Sequence, residues 1–119
     1  MNTQGKYKIS RYYVNSHNAS CDNGQLEYEG NYKDGKLDGL SKWWYENGQL
    51  SDEYNCKDGK RDGLSKEWYR DGGQLKSETN YKDGVLDGLD KAWDSTGQLL
   101  YEHKYKDGEY DGQLRWGQL

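Results

Sequence analysis

Pairs of aspartates four positions apart, each followed by glycine, recur along the chain and are the side chains with the clearest capacity to bind a metal ion. They are Asp34 with Asp38, Asp58 with Asp62, Asp83 with Asp87, and Asp107 with Asp111. Calcium takes several oxygen ligands at about 2.3–2.6 Å, so a ladder of such loops along one sheet edge would suit it. The alternative is turn chemistry, because an aspartate before glycine hydrogen-bonds its own turn. The loops lack the denser ligand spacing of calcium-binding motifs, which favours turns and predicts no metal site.

Histidine and cysteine, the other residues with catalytic or metal-binding chemistry, are few and isolated. His17 and His103 have no second ligand at a recognisable zinc spacing. Cys21 lies near His17 in a polar segment without an oxyanion-binding motif, and Cys56 stands where other repeats have tyrosine, so we expect two free thiols. No phosphate-binding glycine motif is present. The sequence therefore predicts no catalytic residues, no cofactor and no enzymatic activity.

Composition favours a thin folded sheet. Of 119 residues, 31% are apolar and 32% are charged, which by itself is typical of disorder. Five tryptophans and twelve tyrosines argue against disorder, because each ring buries a large area. A single sheet with one well-covered face fits this balance better than a globule with a thick core.

Charge and hydropathy exclude several classes of partner. The net charge is −4, and no basic patch is available for nucleic acid or anionic lipid. Residues 1–25 contain no apolar segment long enough for a signal peptide or a membrane span. We expect a cytoplasmic protein, or an exported one whose leader has been removed, that binds no nucleic acid and does not insert into membranes.

The elements that position these residues are set by an internal repeat of about 24 residues. The Asp-Gly pairs recur at spacings of 24, 25 and 24 residues, and the longer step contains the extra glycine of Gly72-Gly73. A fixed period of this length is typical of repeat proteins, in which each unit packs on its neighbours. The predicted organisation is an N-terminal capping strand and loop over residues 1–23, and a repeat array over residues 24–119 with repeats starting near 39, 63, 88 and 112.

Each repeat has the pattern of a β-hairpin. Two runs of about seven residues flank Asn47-Gly48 or a related pair, and such turns need the positive φ that asparagine and glycine tolerate. No segment has helical periodicity. The predicted fold is all-β: an elongated, single-layer antiparallel β-meander of tandem β-hairpin repeats, with about eight strands.

Strict alternation along the strands predicts which side chains pack. Trp44 falls on the face of the repeated leucines, Trp43 falls on the opposite face, and Leu50 and Cys56 share a face on the return strand. The positions at which leucine, tryptophan or tyrosine recurs between copies are predicted to form one packing face. The tryptophans assigned to the core are Trp44, Trp68 and Trp93.

Positions that change between copies predict the surface for a partner. The Trp43 position becomes Glu67 and Ala92 in later repeats, so its ring is not required for stacking of the repeats. We accordingly expect Trp44→Ala to destabilise the fold strongly, and Trp43→Ala to leave the melting temperature almost unchanged. The aromatic residues predicted to contact a partner are Trp43, Tyr45, Tyr69, Tyr28 and Tyr101.

The repeat itself resembles a known family. Residues 39–50 read Gly-Leu-x-Lys-x-Trp-Tyr-x-Asn-Gly-Gln-Leu, and residues 32–39 read Tyr-Lys-Asp-Gly-x-Leu-Asp-Gly. This pattern is similar to the MORN-repeat variant of bacterial proteins, the class that includes YwqK-type antitoxins, over residues 24–116. The resemblance implies a meandering antiparallel sheet without catalysis that binds protein, many relatives being antitoxins or immunity proteins. MORN repeats elsewhere have been linked to phospholipid binding, dimerisation and scaffolding.

These observations predict a non-enzymatic protein-binding module, an antitoxin or immunity protein that neutralises a toxin by direct contact. An acidic surface would steer association with a basic toxin. One open alternative is a cell-surface adhesin or a repeat module that binds choline, glycan or phospholipid, because stacked aromatics bind cations and sugar rings. The other is a homo-oligomeric scaffold, such as a homodimer formed through an open edge strand.

Overall fold

The computed structural model describes residues 5–14 and 22–116, which form one antiparallel sheet whose strands follow in chain order. The nine strands are β1 Lys6–Val14, β2 Asp22–Lys33, β3 Lys36–Trp44, β4 Leu50–Lys57, β5 Lys60–Trp68, β6 Leu75–Lys82, β7 Val85–Trp93, β8 Leu99–Lys106 and β9 Glu109–Trp116. The predicted all-β meander is confirmed. The sheet has nine strands in place of about eight, because the segment after Gly108 forms a complete strand.

The sheet is a single layer, 50 × 36 × 13 Å in extent. Two packed sheets alone would be separated by about 10 Å, so this thickness leaves no room for a second layer. Burial is correspondingly sparse in the described ranges, and no helix there is long and apolar enough to cross a membrane. The buried side chains are Tyr28, Ser41, Cys56, Ser65 and Ala92.

Asp-Gly turns join each even-numbered strand to the next strand. The aspartate has φ between 49° and 52° and the glycine φ is also positive, as a two-residue hairpin turn requires. The Asp62 and Asp87 carboxylates accept hydrogen bonds from the backbone N–H groups of Asp83 (3.3 Å) and Asp107 (3.1 Å) in the following repeat. These carboxylates therefore link successive repeats. Within residues 5–14 and 22–116, no group of three histidine, cysteine, aspartate or glutamate side chains is arranged to hold a metal ion.

A β-bulge recurs in every repeat near the second hairpin turn. Trp43 pairs with Asp52 whereas Trp44 pairs with Leu50, so Ser51 is an extra residue in β4. The Ser51 hydroxyl donates a hydrogen bond to the Asp52 carboxylate, so the two adjacent side chains lie on one side of the sheet. The same register shift recurs between β5 and β6 and between β7 and β8. Beyond each bulge, alternation is reversed relative to a regular strand.

The bulge corrects the predicted packing face. Cys56 pairs with Gly39 on one side of the sheet, whereas Leu50 pairs with Trp44 on the other. The prediction that Leu50 and Cys56 share a face is therefore wrong, because strict alternation does not count the inserted residue. Cys56 is a buried free thiol, and Cys21 lies outside the described residues.

One side of the sheet, here called the ladder face, carries a row of alternating lysine and glutamate. Its four ion pairs have N–O distances of 3.6–3.9 Å and partly exposed partners, and each is worth about 1 kcal/mol or less. A row of Trp–Leu register pairs lies beside it. The ladder face is defined by Lys8, Glu29, Lys42, Glu53, Lys66, Glu78, Lys91 and Glu102, with the pairs Trp44–Leu50, Trp68–Leu75 and Trp93–Leu99.

Candidate binding surface

The opposite side, here called the ring face, contains all of the buried side chains named above. Tyr28 is only 7% exposed, although no second layer covers it. Its side chain crosses directly over Gly30, since a Cβ atom at that glycine would lie 2.1 Å from the Tyr28 hydroxyl. The sheet therefore buries small residues under its own rings. The ring face is defined by Arg11, Tyr28, Trp43, Asp52, Tyr54, Arg61, Glu67, Tyr81, Asp90, Tyr101, His103, Tyr105 and Tyr110.

The first cluster on the ring face joins β1, β2 and β3. The Tyr28 and Trp43 ring centroids are 4.5 Å apart, and the Arg11 guanidinium carbon lies 5.7 Å and 5.5 Å from the two ring centroids. The Trp43 indole N–H donates a hydrogen bond to the Tyr54 hydroxyl at 3.3 Å. Trp43 therefore has packing partners that its variability between repeats did not indicate.

The second cluster lies at the centre of the sheet. The Arg61 guanidinium carbon is 4.0 Å from the Tyr54 ring centroid and 5.6 Å from that of Tyr81, within the range of cation–π attraction. A small cleft of about 120 Å³ opens beside these groups and is also lined by Asp52 and Glu67. Arg61 thus places a cation between two rings and close to two carboxylates.

The third cluster lies between β8 and β9. Tyr101 stacks on His103, with centroids 4.4 Å apart and an interplanar angle of 18°. The Tyr110 ring packs edge-on against both the His103 ring and the Tyr105 ring, with centroid distances of 5.3 Å and 5.7 Å. Asp90 is the register partner of His103 on the neighbouring strand. The cluster therefore combines three phenol rings, an imidazole and a nearby carboxylate.

Carboxylates occupy the middle of the ring face. Asp52 and Glu67 are direct register partners, an arrangement of like charges that is unfavourable. Glu67 accepts a hydrogen bond from the Ser77 hydroxyl at 2.8 Å, and Asp90 accepts one from the Thr79 hydroxyl at 2.9 Å. None of the three carboxylates takes part in an ion pair in the part of the chain that the structure describes. The face is therefore acidic at its centre.

Burial raises the pKa values of three side chains on the ring face, Tyr28, Tyr101 and Cys56. It raises the pKa of Tyr28 to about 12, with a further contribution from the hydrogen bond to the Tyr32 hydroxyl at 2.9 Å. Burial also raises the pKa of Tyr101, and the Asp90 carboxylate acts in the same direction. The pKa of the Cys56 thiol is likewise raised by burial, which leaves it protonated rather than a nucleophilic thiolate. Near neutral pH, the Tyr28 and Tyr101 side chains are therefore uncharged phenols.

The structure brings together only some of the residues predicted to contact a partner. Tyr28 and Trp43 are in contact, and Tyr101 lies in the same register row on β8. Six strand spacings of about 4.8 Å separate Tyr101 from Tyr28, or about 29 Å. Tyr45 and Tyr69 follow the last residues of β3 and β5, at the border of the face.

Sequence reasoning missed Arg11, Arg61 and the central carboxylates. A signal for Arg61 was present, because it replaces the leucine found at the equivalent positions Leu37 and Leu86. Tyr110 replaces the same leucine in the last copy. Departures from leucine at this position therefore indicate arginine or tyrosine side chains on the ring face.

The tyrosines at the border join one repeat to the next. The Tyr45 hydroxyl donates to the Trp68 carbonyl at 2.7 Å, and the Tyr69 hydroxyl donates to the Trp93 carbonyl at 2.8 Å. Tyr13 makes the equivalent bond to the Trp44 carbonyl at 2.6 Å. These residues consequently have a structural role in addition to any contact with a partner.

Replacing Tyr69 with phenylalanine is expected to lower the free energy of unfolding by about 1 kcal/mol, because the Trp93 carbonyl loses its donor. Urea denaturation measures this loss. The matched control is Tyr110→Phe at the most exposed of the described tyrosines (55%), with an expected change within about 0.5 kcal/mol. Equal losses in the two variants would show that the inter-repeat hydrogen bond contributes nothing specific.

The architecture defines the class of protein. An open sheet of sequential hairpins, in which each described strand pairs with the next along the chain, is a β-repeat array. The MORN repeat variant matches residues 22–34, 37–58, 61–83 and 86–107, and the chain belongs to this family. Neither curated proteins nor solved structures give a significant match to the chain. MORN repeats form modules that bind other molecules, and the family is generally non-catalytic.

Proposed function

We propose that this protein is an antitoxin or immunity protein that neutralises a protein partner by direct contact through the ring face. The observation that carries this proposal is a sheet face, not covered by any other part of the described chain, that is rich in tyrosine, tryptophan and arginine, the residue types enriched at binding hot spots. A standard interface needs roughly 800 Å² from each partner. A sheet 50 Å by 36 Å offers enough surface on one face for such an interface.

The charge of the ring face favours a basic partner. Asp52, Glu67 and Asp90 lie near its centre without ion-pair partners in the described ranges, and the whole chain carries a net charge of −4. Complementary charge would raise the association rate and relieve the repulsion between Asp52 and Glu67. A basic toxin fits these requirements. The proposed contact residues are Trp43, Tyr45, Tyr69, Tyr28 and Tyr101, with the buried Tyr28 ring packed against the Trp43 ring.

The test is capture of a partner from a lysate of the source cells, followed by expression of the captured protein alone and together with this chain. The proposal requires a stoichiometric partner that is toxic alone and harmless when co-expressed. Glu67→Lys, which places a positive charge in the acidic centre, is expected to weaken capture by roughly tenfold. Glu109→Lys makes the same change of charge at the exposed first residue of β9 and serves as the control.

Two results would contradict the proposal. One is capture that Glu67→Lys and Glu109→Lys reduce equally, which would exclude the ring face. The other is the absence of a toxic partner, together with retention of the chain on choline, glycan or lipid surfaces. That second result would favour a ligand-binding or adhesive repeat module, the alternative that the aromatic pattern leaves open.

A further inference from the structure

Two arginine side chains of the protein itself lie over aromatic rings of the ring face. Arg11 lies over Tyr28 and Trp43 in the first cluster. Arg61 lies over Tyr54 and Tyr81 in the second. Two clusters of rings separated along one face thus each hold a guanidinium group, which shows what kind of side chain these rings accept.

The third cluster has the rings but not the arginine. His103 and Tyr110 occupy the repeat positions that Tyr54 and Arg61 occupy in the second cluster. Arg61 places a guanidinium group over the Tyr54 ring. At the equivalent position, Tyr110 instead packs a ring edge-on against His103, with centroids 5.3 Å apart. Among the lysine and arginine side chains that the structure describes, none lies over the rings of this cluster. The Tyr110 ring, which is 55% exposed, is therefore accessible to a cation from another molecule.

A carboxylate stands beside the open rings. Asp90 and His103 are register partners, which places their Cβ atoms about 5 Å apart. Asp90 accepts a hydrogen bond from Thr79 and retains further acceptor capacity, since an ionised carboxylate offers about four lone-pair sites. Tyr110 is 55% exposed, so an incoming side chain can reach the cluster. Rings for stacking and a carboxylate for hydrogen bonding are thus adjacent on an accessible surface.

We infer that the third cluster, formed by Tyr101, His103, Tyr105 and Tyr110 with Asp90, binds an arginine side chain of the protein partner. The inference rests on the proposed function and specifies the chemistry of its partner. Arginine is favoured over lysine because its planar guanidinium stacks on aromatic rings and forks onto a carboxylate, whereas an ammonium is a compact, strongly hydrated charge. An arginine of the partner would then lie against the rings of the third cluster, as Arg11 and Arg61 lie against the rings of the first and second clusters.

The experiment uses three short peptides of otherwise identical glycine-serine sequence, with two arginines, two lysines or two citrullines. Binding is followed by NMR titration of the full chain, which reports both affinity and location. The arginine peptide is expected to bind roughly fivefold more tightly than the lysine peptide, with shifts centred on His103 and Tyr110. Citrulline, which keeps the shape but lacks the charge, is expected not to bind.

Two variants identify the site. Tyr110→Leu is expected to weaken binding of the arginine peptide by roughly fivefold. Tyr12→Leu makes the same substitution at another exposed tyrosine (43%). Tyr12 lies on β1 opposite Leu26 of β2, away from the third cluster, so this variant is expected to leave binding unchanged. Near-ultraviolet circular dichroism checks that both variants are folded.

Absence of binding, equal binding of all three peptides, or equal effects of the two variants would overturn the inference. These results leave the capture experiment unaffected, because a toxin could still bind the rest of the ring face. Conversely, arginine binding at the third cluster with no toxic partner in the capture experiment would retain the site and reject the antitoxin function. The two failures are therefore distinguishable.

Discussion

Replacing Tyr28 with alanine is expected to lower the free energy of unfolding by about 3 kcal/mol or more, the typical cost of removing a large aromatic side chain from a packed site. Tyr28 is 7% exposed, covers Gly30 and packs against Trp43. A single-layer sheet has no second layer that could move into the space. Because small domains are stable by only about 5–15 kcal/mol, this one change removes a large part of the total.

Urea denaturation followed by tryptophan fluorescence measures the effect of Tyr28→Ala. Tyr12→Ala removes the same side chain where it is 43% exposed, and its expected cost is about 1 kcal/mol or less. A comparable cost for both substitutions would mean that burial beneath the ring face does not contribute to stability. It would also remove the physical basis for treating Tyr28 as the residue against which Trp43 packs.

Replacing Trp43 with alanine is expected to cost about 2 kcal/mol, a loss similar to that caused by Trp44→Ala. Trp43 packs against Tyr28, lies beneath Arg11 and donates a hydrogen bond to Tyr54. All of these interactions are lost on truncation. Trp44 loses its cross-strand contact with Leu50, while its carbonyl still accepts the Tyr13 hydroxyl.

The comparison of Trp43→Ala with Trp44→Ala by urea denaturation separates two assignments of the sheet's faces. The repeat pattern predicts a strong effect at Trp44 and almost none at Trp43. The geometry predicts substantial effects at both. An unfolding midpoint that Trp43→Ala leaves unchanged would favour the repeat pattern. Val85→Ala, at a side chain that is 46% exposed, is the control for loss of exposed apolar surface.

Most contacts of the candidate site could not be predicted from the sequence, because they join residues of different repeats. Arg11 and Trp43 are 32 positions apart and belong to different repeats, so their spacing contains no sign of contact. Tyr28, Trp43 and Tyr101 were predicted as surface aromatics because their positions vary between copies. Variation between copies shows that the sheet can be built without a given ring, but not that the ring is unpacked where it occurs.

The sequence by itself determined the architecture. The period of about 24 residues, the Asp-Gly and Asn-Gly pairs and the alternation between them predict strands and turns, because these signals act within a few residues of one another. The antiparallel order of the strands followed from them, whereas β3, β5 and β7 begin three residues before the glycines at 39, 63 and 88. Tertiary structure alone decided which face is buried, because Ser51 and its equivalents reverse the alternation, and a bulge is defined only by the pairing of two strands. It also decided where the rings meet the arginines, because those contacts depend on register between strands and on the direction of each side chain.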